Sequence, residues 1–168
     1  MTWCKQCEPG YYCPYGSADR IACPAGSWSL GASEFCTLCL AGFECPFTTK
    51  PATNPCLLGT YTDLPGEPTC FVCPKNYECI GNTKIPCWDG IGIPYKWSFE
   101  GEGRCKFFEA GKIPSPNGGP YVLLTYSPID CASGKFAAYA TRLCIDCPIG
   151  HKCPTPNVPP IKCLPGEY

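Results

Sequence analysis

Four times in this chain two cysteines stand three positions apart, with a third six positions further on: Cys4-x2-Cys7-x5-Cys13, Cys36-x2-Cys39-x5-Cys45, Cys70-x2-Cys73-x5-Cys79 and Cys144-x2-Cys147-x5-Cys153. Cysteines so spaced can hold zinc as thiolates, exchange electrons as a dithiol, or close structural disulfides. A zinc ribbon brings two such pairs within about 15–20 residues. Here the pairs begin 32 or more residues apart with other cysteines between them, and His151 is the only histidine. A thioredoxin-like dithiol needs a βαβ frame, and no such pattern surrounds any pair. Structural disulfides are therefore expected, with no metal, no cofactor and no catalytic residue. Aligning the motifs puts His151 where Tyr11, Phe43 and Tyr77 stand, so its ring is expected to cover a bridge. Glu100, Glu102, Glu109 and Asp130 do not match a calcium loop and are expected on a solvated face.

Composition says what must position these cysteines. Of 168 residues 18 are Cys, a level that marks a disulfide scaffold, while Leu, Ile, Val and Phe total only 31. The 21 Pro and 18 Gly discourage long helices and regular sheets. Closing a short loop with a disulfide contributes roughly 2–3 kcal/mol, so eight or nine bridges can replace the missing core. Such bridges persist in oxidising compartments, which points to an extracellular or cell-surface location. A net charge of −1 offers no basic patch to neutralise phosphates, so no nucleic-acid partner is expected. The longest apolar stretch, near Tyr121–Tyr126, is too short to span a bilayer. The opening MTWCKQC enters the cysteine pattern without a leader, so the sequence is expected to be an internal piece of a longer precursor, Met1 not being a true initiator.

The motif belongs to a longer repeat. Each copy ends in a fourth cysteine, Cys23, Cys56, Cys87 and Cys163, and after three of these comes C-x2-G-x-aromatic: CPAGSW, CLLGTY and CLPGEY. Cys131 in CASGKF fits the same pattern, so Cys105 and Cys131 mark a degenerate unit that has lost its middle two cysteines. The expected units are 4–35, 36–69, 70–104, the degenerate 105–143 with an extra β-hairpin, and 144–168, which is incomplete. Their starts are spaced by 32, 34, 35 and 39 residues. If the middle cysteines bond to each other, losing both leaves no orphan. The favoured pairs are then Cys7–Cys13, Cys39–Cys45, Cys73–Cys79 and Cys147–Cys153, with Cys23–Cys36, Cys56–Cys70, Cys87–Cys105 and Cys131–Cys144 tying each unit to the next. Cys4 and Cys163 are left for inter-unit or inter-chain links. A rival scheme pairs first with third and second with fourth cysteine inside each unit, plus Cys105–Cys131, and needs one unit to rewire.

Turns and short strands are expected, punctuated by Pro-Gly steps. Lys106–Phe108 and Tyr121–Tyr126 read as strands flanking a link at Ile113–Pro120, with an apolar patch of Trp97, Phe99, Phe107, Phe108, Tyr121 and Tyr126. Phe136–Leu143 is the one window for a short helix. Trp28, Tyr61, Phe136 and Tyr168 share one repeat position and are expected to pack on a bridge or on the next unit. No N-x-[ST] sequon is present. Pro114, Ser115, Pro116, Thr155 and Pro156 are candidates for O-linked or hydroxyproline-linked sugars, against an unmodified spacer.

CEPGYYCP (Cys7–Pro14), CLAGFECP (Cys39–Pro46), CPKNYECI (Cys73–Ile80) and CPIGHKCP (Cys147–Pro154), each with its C-x2-G continuation, resemble the ephrin-receptor-like cysteine-rich repeat. More distantly they resemble the cysteine-rich modules of tumour-necrosis-factor receptors. The resemblance covers the chain apart from about 90–130. It implies an elongated, disulfide-laddered tandem array without enzymatic activity, and leaves the ligand open because the motif is scaffold. The sequence therefore leads to a small disulfide-rich fold with short β-hairpins and little helix. The expected function is that of a subunit or stalk of an extracellular filament, appendage or surface coat, assembling with itself head to tail. The alternative is a receptor ectodomain or adhesion module that binds a protein ligand.

Overall fold

A chain so poor in aliphatic residues and so rich in Pro and Gly cannot sustain long elements, and it forms hairpins of two to four residues a side. The computed structural model describes residues 4–88, 96–115 and 126–167. Among these there is no helix, and every strand pairs with its neighbour in sequence in a two-stranded antiparallel sheet. The first four hairpins are β1 (Tyr11–Tyr12) with β2 (Ile21–Ala22), β3 (Ser27–Trp28) with β4 (Thr37–Leu38), β5 (Phe43–Glu44) with β6 (Asn54–Pro55), and β7 (Thr60–Tyr61) with β8 (Phe71–Val72). Then come β9 (Tyr77–Ile80) with β10 (Thr83–Pro86), β11 (Lys96–Trp97) with β12 (Lys106–Phe107), and β13 (Lys112–Pro114) with β14 (Pro128–Asp130). The last two are β15 (Lys135–Phe136) with β16 (Ile145–Asp146), and β17 (His151–Lys152) with β18 (Ile161–Lys162).

The residues form two compact units, Met1–Cys73 with Cys79–Lys84, and Pro74–Glu78 with Ile85–Tyr168. In the first, the bridges are Cys7–Cys13, Cys23–Cys36, Cys39–Cys45, Cys56–Cys70 and Cys73–Cys79. In the second they are Cys87–Cys105, Cys131–Cys144 and Cys147–Cys153. These are the pairs of the staggered scheme, and none of the rival pairs occurs. Bridges close over 6 residues or over 13 to 18, and short and long loops alternate except in the degenerate unit, where the long Cys87–Cys105 and Cys131–Cys144 loops follow one another. Sulfur is also the core. Among the described residues nine cysteines are buried, against Tyr61, Trp97, Phe108, Tyr126 and Ala137 as the other buried non-proline apolar side chains.

One backbone motif locks the hairpins together. Gly10, Gly42, Asn76 and Gly111 hold corresponding positions, and their N–H groups donate to the carbonyls of Ser29, Thr62, Ser98 and Ala137. Their own carbonyls accept from the N–H groups of Cys23, Cys56, Cys87 and Cys131. The position needs a left-handed backbone, with φ of 83°, 87°, 63° and 82° in turn, which glycine adopts freely and asparagine tolerates. Asn76 repays the strain with its side chain. Its Nδ2 donates to the Tyr126 carbonyl at 2.9 Å, and its Oδ1 accepts from the Ser98 N–H at 3.3 Å.

The degenerate unit departs from the sequence expectation. Lys106–Phe107 pairs back on Lys96–Trp97, just beyond the Cys105 end of the Cys87–Cys105 bridge. Residues 121–125 lie outside the described residues. The hairpin of this unit is β13–β14, with Lys112 opposite Asp130 and Pro114 opposite Pro128, so part of the expected link at Ile113–Pro120 is a strand. This hairpin is not an extra one, since it takes the place of β1–β2 in the first repeat. Phe136–Leu143 is not helical: it begins in β15 and turns at Ala140, whose φ is 60°. Of the expected patch, Trp97, Phe108 and Tyr126 form a buried cluster with Trp88 against it. Phe99 packs edge-on against Trp97, whereas Phe107 turns outward onto Tyr139.

Candidate functional site

The feature with functional content is a link repeated along the chain. An opening cysteine is followed by a Gly turn, then by an aromatic residue; a closing cysteine returns to bond the opener. In the first link the Ser27 N–H donates to the Pro24 carbonyl across Gly26, whose φ is 83°. Trp28 then pairs with Thr37, directly after the closing Cys36. The second link repeats this with Gly59, and with Tyr61 opposite Phe71 after Cys70. The fourth does so with Gly134, and with Phe136 opposite Ile145 after Cys144. The N–H of the third residue after the closing cysteine completes the link: Cys39 donates to the Gly26 carbonyl, Cys73 to Gly59 and Cys147 to Gly134.

The residue after each aromatic passes the chain of bonds on. Ser29, Thr62, Ser98 and Ala137 are all buried. The N–H of Ser29 reaches the Thr48 carbonyl, that of Thr62 reaches Gly81, and that of Ala137 reaches Pro156, each in the following repeat. Tyr61 also touches that following repeat. Lys84 Nζ lies 4.7 Å over its ring, donates to its hydroxyl at 3.1 Å and sits 3.0 Å from Asp63. The Tyr61 hydroxyl and then Asp63 hold the Lys84 ammonium above the usual lysine range.

Sequence reasoning missed three members of the pattern. Trp97 is the aromatic of the third link, opposite Lys106 after Cys105. It escaped notice because the Cys87–Cys105 loop spans 18 residues where the others span 13 or 14. Phe108 and Pro114 stand where the other repeats carry their middle bridge, and a signal was available: Cys105-x2-Phe108-x5-Pro114 keeps the spacing of Cys4-x2-Cys7-x5-Cys13. Phe108 is 0% exposed and Pro114 is buried. An aromatic core thus replaces a disulfide. Phe108 lies 6.3 Å, ring to ring, from both Trp97 and Tyr126. The Tyr126 hydroxyl donates to the Lys96 carbonyl at 2.8 Å, and burial pushes its pKa up to about 12.

The remaining candidate residues are placed as follows. His151 sits in β17 opposite Lys162, the place held by Tyr11, Phe43, Tyr77 and, in the degenerate unit, Lys112. Glu102 engages Lys106 and the Phe99 N–H, and Asp130 engages Lys112. Among the described residues no three His, Cys, Asp or Glu side chains converge on a metal position. No described helix is long and apolar enough to cross a membrane. Pro114 is buried in β13, Ser115 is half-buried and accepts from the Ser127 N–H, and Pro156 is half-buried. Thr155 is exposed, while Pro116 and Tyr168 lie outside the described residues. Cys4 and Cys163 are unbridged, the first exposed and the second half-buried.

No family model and no curated protein matches the chain. The likeness to ephrin-receptor-like repeats therefore rests on cysteine spacing and Gly-aromatic punctuation.

Proposed function

We propose that the chain is a non-enzymatic structural segment of an extracellular filament, appendage or surface coat, built to keep spacing and carry tension, and that it assembles with itself head to tail. The observation that carries the reading is the link itself. One covalent and hydrogen-bonded joint recurs from repeat to repeat, and its disulfides stand where another fold would have a hydrophobic core. Disulfide-rich chains of this kind are typical of secreted proteins, and a repeat that contacts mainly its neighbours extends without limit of size. Fixing the backbone with bridges also suits a load-bearing part, because covalent links do not yield at forces that open hydrophobic contacts. The exposed Thr155 is the best placed of the candidate sugar sites.

A receptor or adhesion module is the second reading. It draws on apolar side chains that recur, exposed, two residues before the opening cysteines: Ile21, Ile85, Ile129 and Ile161. Recurrent exposed apolar residues suit the flank of a protein-binding surface. Negative-stain images of native material separate the two. Long regular fibres support the structural reading. Isolated particles that change only when a protein partner is added refute it and favour the second.

A further inference from the structure

Between the third and fourth cysteines of a full repeat runs a connector that no bridge encloses: 14–22, 46–55, 80–86 and 154–162. Three of the four are tied down by their own backbone. Ser17 closes a turn onto Pro14, and Val158 closes one onto Thr155, while 80–86 is taken up by β9, its turn and β10. The connector 46–55, PFTTKPATNP, is fixed only towards its ends. The Thr48 carbonyl accepts from the Ser29 N–H at 2.9 Å, and Asn54 pairs with Glu44. Thr48 and Thr49 lie on Gly10, where an added Cβ would come within 3.2 Å of the Thr48 hydroxyl and 3.1 Å of the Thr49 methyl. From Thr49 to Thr53 there is no backbone hydrogen bond among the described residues, and Pro51 and Pro55 hold the residues before them extended.

Thr53 stands in that stretch and is exposed. Its hydroxyl makes one weak contact, 3.4 Å to Asn54 Oδ1, longer than an ordinary O–H···O bond. Other described threonines are committed. The hydroxyls of Thr60, Thr83 and Thr141 donate to the carbonyls of Leu57, Ile80 and Ala138 at 2.8 to 2.9 Å, and that of the buried Thr62 accepts from the Gly42 N–H at 2.7 Å. Thr37 lies in β4, and Thr69 lies inside the Cys56–Cys70 loop.

We propose that Thr53 is an O-glycosylation site of the folded chain, with Thr49 as a second acceptor. An enzyme that modifies a folded protein must seat the acceptor hydroxyl together with a few residues of extended backbone, and only a stretch free of its own hydrogen-bond ladder can be lifted into such a groove. Stretches rich in threonine and proline are the usual carriers of O-linked sugars. The co-reactant is a nucleoside diphosphate sugar, delivered by a glycosyltransferase of the secretory route. The bond from the sugar C1 to the diphosphate breaks, the bond from the threonine Oγ1 to C1 forms, and the hydroxyl proton leaves with the diphosphate. The proposal rests on the extracellular part of the reading above. The sugar covers a connector that has neither bridge nor ladder, the kind of exposed stretch that proteases cut.

The test compares the full chain with its bridges intact and the same chain reduced and alkylated. Each is incubated with uridine diphosphate N-acetylgalactosamine and a purified polypeptide N-acetylgalactosaminyltransferase, and the sugar is located by electron-transfer fragmentation of the peptides. The folded chain is expected to take sugar at Thr53, then at Thr49, within roughly threefold of the reduced chain's rate, while folding slows Thr83 and Thr155 roughly tenfold or more. Thr53→Val removes the main site and leaves the bridge pattern unchanged. A Thr53 slowed by folding as much as Thr83, sugar spread evenly over the exposed threonines of the folded chain, or no transfer to Thr53 in either state overturns the proposal. Native material is mapped alongside. Bare Thr49 and Thr53 in fibrous material sink the site and leave the structural reading standing; sugar at Thr53 in material that forms no fibres does the reverse.

Discussion

Phe108→Ala puts the replacement of a bridge by an aromatic core to the sharpest test. The ring is fully buried, and among the described residues it clusters with Trp97 and Tyr126, with Trp88 alongside. Removing a buried Phe costs about 3–5 kcal/mol. A disulfide closing the equivalent seven-residue loop contributes about 2.4 kcal/mol on the chain-entropy scale. The aromatic core is thus at least the equal of the bridge it replaces. Because all eight bridges survive the substitution, the loss falls on the 105–131 stretch and not on the whole chain. Native-state hydrogen exchange reads this directly. The N–H groups of Gly111, Cys131 and Ala140 bond to Ala137, Gly111 and Phe108 carbonyls, and a 3 kcal/mol loss lowers their protection roughly a hundredfold. Those of Cys39 and Cys73 in the first unit stay as they were. The double variant Phe108→Cys with Pro114→Cys restores a bridge yet forfeits the ring, for a net loss of about 1–3 kcal/mol. Protection at Gly111 and Cys131 that changes less than tenfold in Phe108→Ala, or rises in the double variant, would refute the reasoning.

Three further outcomes are expected. Asn76→Ala strands the Tyr126 carbonyl and puts an alanine at φ of 63°, so about 2–3 kcal/mol is lost at the second unit, while Asn76→Gly recovers the backbone share; denaturant titration of the tryptophan signal measures both. Tyr126 is raised to about 12 against 10 when unfolded, so the folded state holds the extra proton between those values; with free thiols blocked, stability falls as pH rises above 10, and Tyr126→Phe flattens that fall in alkaline melting curves. Pulled from its ends with bridges intact, the chain should give its largest single lengthening from the 26 steps between Cys105 and Cys131, at most about 90 Å, and Phe108→Ala should lower the force of that event in single-molecule stretching. A largest step that tracks any other segment contradicts the assignment.

Much of the architecture was legible because cysteine spacing is a local property. The loss of two cysteines together between Cys105 and Cys131 pointed to the middle pair bonding each other, and the C-x2-G-x-aromatic run marked the opening of each link. Pro and Gly content ruled against helices and long strands, and the structure has none among the described residues. The degenerate unit was legible only in part. Lys106–Phe107 takes its partner from Lys96–Trp97 across the Cys87–Cys105 loop, a pairing that cysteine spacing alone does not name. Trp97 was hidden by an enlarged loop, and Phe108 by the habit of matching cysteine only to cysteine.

The sequence alone determined the recurring cysteine intervals and favoured the staggered order of the bridges over its rival, since both follow from which residue types recur at which intervals; the structure decided between the two schemes. Tertiary structure decided what interval cannot carry: that Phe108 and Pro114 fill the place of a bridge, and that Asn76 leans on Tyr126 from 50 positions away. It also decided that Tyr61 is held by a lysine of the next repeat. Burial and hydrogen bonding between distant segments depend on the path of the backbone through space, and that path is set only once the disulfides have closed.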